Sequence, residues 1–197
     1  MVERGLRNNY FLTLVKFILF LLILCFIVEV SKAFFKDIEI KEGFNLNVFY
    51  LSILSPFLFY TFIADLSNLY RKVQDFFFRS TFFSYFLSAL LIFLGIGFIL
   101  IPKIFNFTFN KNIFLFLGGF VAIVHLVFVA RQNRGGSFST FINYLFNFSI
   151  LYIINLILFT LYLKIGFDIN LRSIFIEGAK EGIFLIQNIF TQIINNC

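Results

Sequence analysis

Residues 10–30 read YFLTLVKFILFLLILCFIVEV, a run whose only charges are Lys16 near one end and Glu29 near the other. A helix needs about 20 mostly apolar residues to cross the hydrocarbon of a bilayer. Charged side chains near its ends reach the headgroups along their aliphatic stems. Strands of a membrane barrel would alternate apolar and polar residues, and this run is continuous. It is a membrane-spanning helix, and the rest of the chain has to be understood in the same solvent.

Outward from it, the spacing of charges marks four more runs, at residues 44–64, 81–102, 112–130 and 139–163. Composition agrees: 60% of the 197 residues are hydrophobic and 13% are charged, whereas a soluble domain keeps about a quarter charged. The expected fold is all-α: residues 1–164 form a polytopic membrane helical bundle of about five transmembrane helices. The connections are short and leave no room for a soluble domain. Ser31-Lys32-Ala33 loosely imitates a signal cleavage site, but the apolar run before it is long for a signal, so the first span reads as uncleaved.

Five spans put the two ends on opposite sides. Lys and Arg divide evenly between the sides, so a plain count does not orient the protein. Six of the seven Arg, namely Arg4, Arg7, Arg71, Arg79, Arg131 and Arg134, fall on the side of the N-terminus. The N-terminal pair places that end in the cytoplasm by the positive-inside rule. The expected location is a bacterial cytoplasmic (inner) membrane or an organellar membrane, with the C-terminus outside. Arg71, Lys72, Arg79, Arg131 and Arg134 are the candidate contacts to lipid headgroups. Three of them flank Phe76-Phe77-Phe78, a basic and aromatic mix suited to an anionic membrane surface. So short a stretch does not suit nucleic acid.

Residues 165–197 are the exception to the apolar pattern. Leu171, Phe175, Gly178, Gly182, Ile186, Ile189 and Ile193 recur at steps of three and four, the period of an amphipathic helix. Polar residues fall mostly on its other side. The first expectation is a C-terminal amphipathic interfacial helix lying on the outer surface. The alternative is docking on partner chains or in a groove between spans, since Gly178 and Gly182 would let another backbone approach closely. A break near Gly182 is a further possibility, because Gly weakens helices.

Polar and small residues carry what specificity the spans hold. Asn143, Asn147 and Asn155 share a helix face by their spacing, and an amide in hydrocarbon needs a partner helix or a wet path. Ser84, Ser88 and Gly95 form one small-residue seam, and Gly118 and Ala122, with His125, form another. Pro56 should free a backbone carbonyl in the second run. His125 is the only histidine. Without a second His or nearby Cys and carboxylates it makes no metal set, and a neutral imidazole bonded to a neighbouring helix is the expected state.

His125 followed by Arg134, Gly135, Gly136 and Thr140 resembles a motif of the acyl-phosphate-dependent glycerol-3-phosphate acyltransferases. Ser137 stands where that family has Lys, and the family's other phosphate-binding motifs are absent, so no function is carried over. No nucleotide loop, metalloprotease helix or nucleophile elbow occurs. No cofactor and no metal are expected.

Three functions are then in play. The leading one is a non-catalytic integral membrane subunit or scaffold, a complex subunit whose partners are the lipid bilayer and other membrane protein chains or itself. The second is a small oligomeric channel or carrier with a path along the Asn face of the fifth span. The third is a lipid-modifying membrane enzyme using His125.

Overall fold

The computed structural model describes residues 2–62, 65–78, 80–106, 108–132 and 138–195. Among these residues run eight α-helices and no strand: α1 (Val2–Glu39), α2 (Leu46–Phe62), α3 (Ser67–Phe77), α4 (Thr81–Phe86), α5 (Ala89–Phe105), α6 (Lys111–Gln132), α7 (Phe138–Phe167) and α8 (Leu171–Asn195). Three stretches are long and apolar enough to cross a membrane: Tyr10–Glu39, Lys111–Arg131 and Ser139–Phe167. The pair α2 and α3 would make a fourth, but their axes differ by 117°. α5 is apolar yet only 17 residues long, about 25 Å of helix. Length and composition alone therefore give three or four crossings where charge spacing gives five.

Two elements depart from the charge-spacing picture for identifiable reasons. α1 runs on through residues 31–39 because Val30, Phe34 and Ile38, four apart, are all buried and carry its core stripe past the first charges. The run 81–102 is broken into α4 and α5 at Leu87–Ser88, where both residues are extended. Ser88 caps α5, its hydroxyl accepting the Leu91 N–H at 3.3 Å. Ser competes for backbone groups inside a helix and serves well at its start. An absence of charge cannot register such a break.

The chain divides into two compact units. The first holds residues 1–36, 132–153 and 172–197. In it Thr13 bonds Ser139 at 3.0 Å, Lys16 donates to the Asn143 carbonyl at 2.7 Å, and Ser31 bonds Tyr152 at 3.0 Å. Residue numbers rise together, so α1 and the start of α7 are parallel. α8 lies against α1 through Gly178 and Gly182, where added Cβ atoms would sit 2.6 Å from the Val30 Cα and 2.9 Å from the Phe26 ring. Here numbers rise on one helix as they fall on the other, so α8 is antiparallel to α1.

The second unit holds residues 37–131 and 154–171. α2 and α6 run side by side in the same direction. Gly43 and Asn45 line one depression with Asn112 at the start of α6, and Asp65 meets Arg131 at its end. Ser52 fills the space over Gly119 so closely that a Cβ there would overlap it. Pro56 removes the N–H that would bond the Ser52 carbonyl, and the Ser55 hydroxyl donates to that carbonyl at 3.4 Å. The end of α7 returns antiparallel to α6. The Tyr162 hydroxyl donates to the Phe114 carbonyl at 2.7 Å, its ring stacks on Phe114, and Gly118 makes room for it.

Candidate functional site

The most heavily bonded buried polar group of the second unit forms where α3 meets the break between α4 and α5. α3 is amphipathic, and Ser67, Tyr70 and Gln74, spaced three and four apart, are its buried face. The Gln74 side chain enters the break as a peptide group would. Its carbonyl accepts the Ala89 N–H at 3.1 Å and its amide donates to the Leu87 carbonyl at 3.1 Å. Without it the Ala89 N–H would be buried with no partner, at roughly 1–3 kcal/mol, and the part-buried Leu87 carbonyl would lose its bond.

Around this contact Tyr70, Ser88 and His125 close a ring of bonds. The Tyr70 hydroxyl lies 2.9 Å from Ser88 Oγ, 3.0 Å from His125 Nδ1 and 2.9 Å from Gln74 Nε2. Gln74 Nε2 also lies 3.2 Å from His125 Nδ1. Relative exposure is 2% for Tyr70, 0% for Gln74 and Ser88, and 1% for His125, so the four side chains are buried together. Counting hydrogens fixes the pattern. Gln74 has two to give, to Leu87 and Tyr70. Tyr70 then donates to Nδ1, and Ser88 donates to Tyr70 while accepting from Leu91. In this pattern Nδ1 accepts from Tyr70, which places the proton of a neutral imidazole on Nε2.

A second cluster stands at the other end of α3. Arg131 donates to Asp65 at 2.8 Å and to Ser67 Oγ at 3.2 Å. Its guanidinium lies 4.7 Å over the Tyr60 ring. The Ser67 hydroxyl, then its backbone N–H, and then Arg131 hold the Asp65 carboxyl below the usual carboxylate range. These contacts join the end of α2, the start of α3 and the end of α6.

The Asn residues of α7 have separate surroundings. Asn143 is half-buried and takes the Lys16 ammonium, Asn147 is exposed, and Asn155 is buried with its amide 3.4 Å from the Ala122 carbonyl. The Asn155 Oδ1 is buried without a partner. Ser84, Ser88, Gly95, Gly118 and Ala122 are buried within the second unit, and Gly178 and Gly182 within the first. Arg71 and Lys72 are exposed on α3. Arg79 and Arg134 lie outside the described residues, as do Gly135 and Gly136.

Tyr70 and Gln74 were not singled out by charge spacing, because they fall in a connection between apolar runs. Their signal was the polar pair four apart in a segment of helical period. Among the described residues no three His, Cys, Asp or Glu side chains come together as a metal set would require. The groove of about 210 Å³ between α5 and α7 is lined by Leu91, Ile96, Leu158, Ile165 and similar apolar residues, with only the Tyr162 hydroxyl, already bonded, for polar chemistry. No protein-family model matches the chain, and comparison with curated proteins and with solved structures finds no similar one.

Proposed function

We propose that the chain is a non-catalytic integral membrane subunit that packs through its helices with other membrane protein chains or with copies of itself. The observation that carries this reading is the closure of the Tyr70–Gln74–Ser88–His125 cluster. A general acid or base has to reach the proton it moves. Here Nδ1 of the only histidine is engaged by Tyr70, and the side chain is buried. The polar residues of this unit go to bracing a helix break, which is the work of a scaffold. His125 as a lipid-modifying group gains no support from this surrounding.

The same reading takes five crossings before α8, with the N-terminus in the cytoplasm. α2 accompanies α6 from Asn112 to Arg131, and a helix beside a spanning helix over that length covers the same depth. The shared direction of α1 and α7 calls for an odd number of crossings between them. α2, α5 and α6 supply three, whereas a total of four would set α7 against α1. The expected home is a bacterial cytoplasmic membrane or an organellar one.

Purification from native membrane in mild detergent tests the subunit reading. A complex containing further chains or several copies is expected, and a bare monomer sinks it. A channel or carrier is the second reading, favoured by one observation: Asn147 is exposed one turn beyond the Lys16–Asn143 pair. It requires that Asn143→Cys and Asn147→Cys react with a water-borne maleimide in intact membranes.

A further inference from the structure

The surface of α8 is divided in three. Ile174, Gly178 and Gly182 are buried, and the two glycines meet Val30 and Phe26 of α1. Ile176, Ile183, Phe190 and Ile194, at steps of seven and four, form a second apolar side that is exposed. The remaining stripe is polar and exposed: Glu177, Lys180, Gln187, Asn188, Thr191 and Asn195, interrupted by Phe184. A helix resting on a membrane needs one apolar face for lipid. In α8 the glycine side meets α1 at Gly178 and Gly182, its continuation at Ile189, Gln192 and Ile193 is exposed, and a second apolar side is left over.

Charge placement points the same way. Arg172, Glu177, Lys180 and Glu181 lie in the first half, and none of the residues from Gly182 to Asn195 is charged. Helices that lie on a membrane are commonly rich in Lys and Arg on their polar face. The antiparallel register sets Glu177 and Glu181 near the level of Glu29 and Lys32, the charged end of the first apolar run. Thirteen residues on from Gly182 is Asn195, and thirteen back from Phe26 is Thr13, close to Lys16 at that run's other end.

α8 is not among the stretches apolar enough to cross by themselves; from this register we propose that it inserts beside α1 as a further span because its polar stripe pairs with the same stripe of a second copy. The proposal rests on the membrane-subunit reading and names its partner. Amides at hydrocarbon depth must meet protein or water. An amide both donates and accepts, so Asn188 satisfies its own counterpart when a two-fold axis along the membrane normal brings like residues to like depth. The charged layer is complementary to itself as well, since Lys180 lies between Glu177 and Glu181 in sequence. Thr191 already donates to the Gln187 carbonyl, which leaves its oxygen as an acceptor. With the N-terminus inside, α8 returns the C-terminus to the cytoplasm, in place of the outside end expected from five spans.

Single-cysteine cross-linking in native membranes tests this, in a chain with Cys25→Ser and Cys197→Ser. Asn188→Cys and Thr191→Cys are expected to give a disulfide-linked homodimer on oxidation, with Phe190→Cys and Ile183→Cys giving at least tenfold less. Impermeant maleimide should label neither stripe position from outside. Equal cross-linking at all four positions overturns the proposal, as does rapid outside labelling along the stripe. If the stripe fails to cross-link while another polypeptide co-purifies, the second-copy pairing falls and the subunit reading stands. If the chain also purifies as a bare monomer, both fall.

Discussion

Gln74 is the residue whose replacement should be felt most in the second unit, because one side chain satisfies two backbone groups and a tyrosine at once. Gln74→Leu keeps the bulk and strands the Leu87 carbonyl and the Ala89 N–H. A loss of about 2–4 kcal/mol is expected for one buried and one part-buried group left without partners, seen as a lower unfolding midpoint in detergent. An unchanged midpoint would mean that the break does not depend on this amide. Asp65 gives a pH dependence with a definite sign. Its carboxyl is held low by Ser67 and Arg131, so its contribution is present above about pH 4 and is lost as pH falls through the depressed value. Asp65→Asn should flatten the acid limb of a stability–pH curve by slightly lowering the region above about pH 4 and leaving the acid end unchanged, the effect being small because the pair is exposed.

Helix contacts in the second unit depend on where a missing side chain leaves room. Gly118 of α6 lies under the Tyr162 ring, so close that an added Cβ would overlap it. Gly118→Ala must displace that ring and break its bond to Phe114, at a cost of about 1–3 kcal/mol for overpacking. Gly97 on α5 meets only the tip of Ile101, at 3.7 Å. Gly97→Ala is expected to be neutral or to stabilise by up to about 1 kcal/mol through helix propensity. Unfolding midpoints of the two variants should therefore move in opposite directions, or at least differ by more than 1 kcal/mol. The glycine pair of α8 belongs with Gly118: Gly178→Leu should separate α8 from α1 without touching the second unit.

At the scale of the whole chain the open quantity is how many times it crosses the membrane. Reporter fusions after residues 40, 66, 107, 134 and 169 should alternate outside, inside, outside, inside, outside for the five-crossing reading. A fusion after residue 66 that reports the outside would reduce α2 to a helix that does not cross. A fusion after residue 195 separates the two fates of α8, inside if it inserts and outside if it lies on the surface.

The sequence by itself determined that this is a helical membrane protein, because apolar runs between charges are a property of chain composition and the bilayer acts on that directly. It located α6 and α7 within a few residues and marked Gly178 and Gly182 as a place of close approach. Only the tertiary structure decided that the third run is broken at Leu87–Ser88, since what supports the break is Gln74, thirteen residues upstream of Leu87 on another helix. It also decided that Nδ1 of His125 is engaged: spacing shows a lone ionisable group in a span, but the side chains that meet this nitrogen come from α3. Local composition sets the solvent of each segment, and bonds between distant segments set what each polar side chain is free to do.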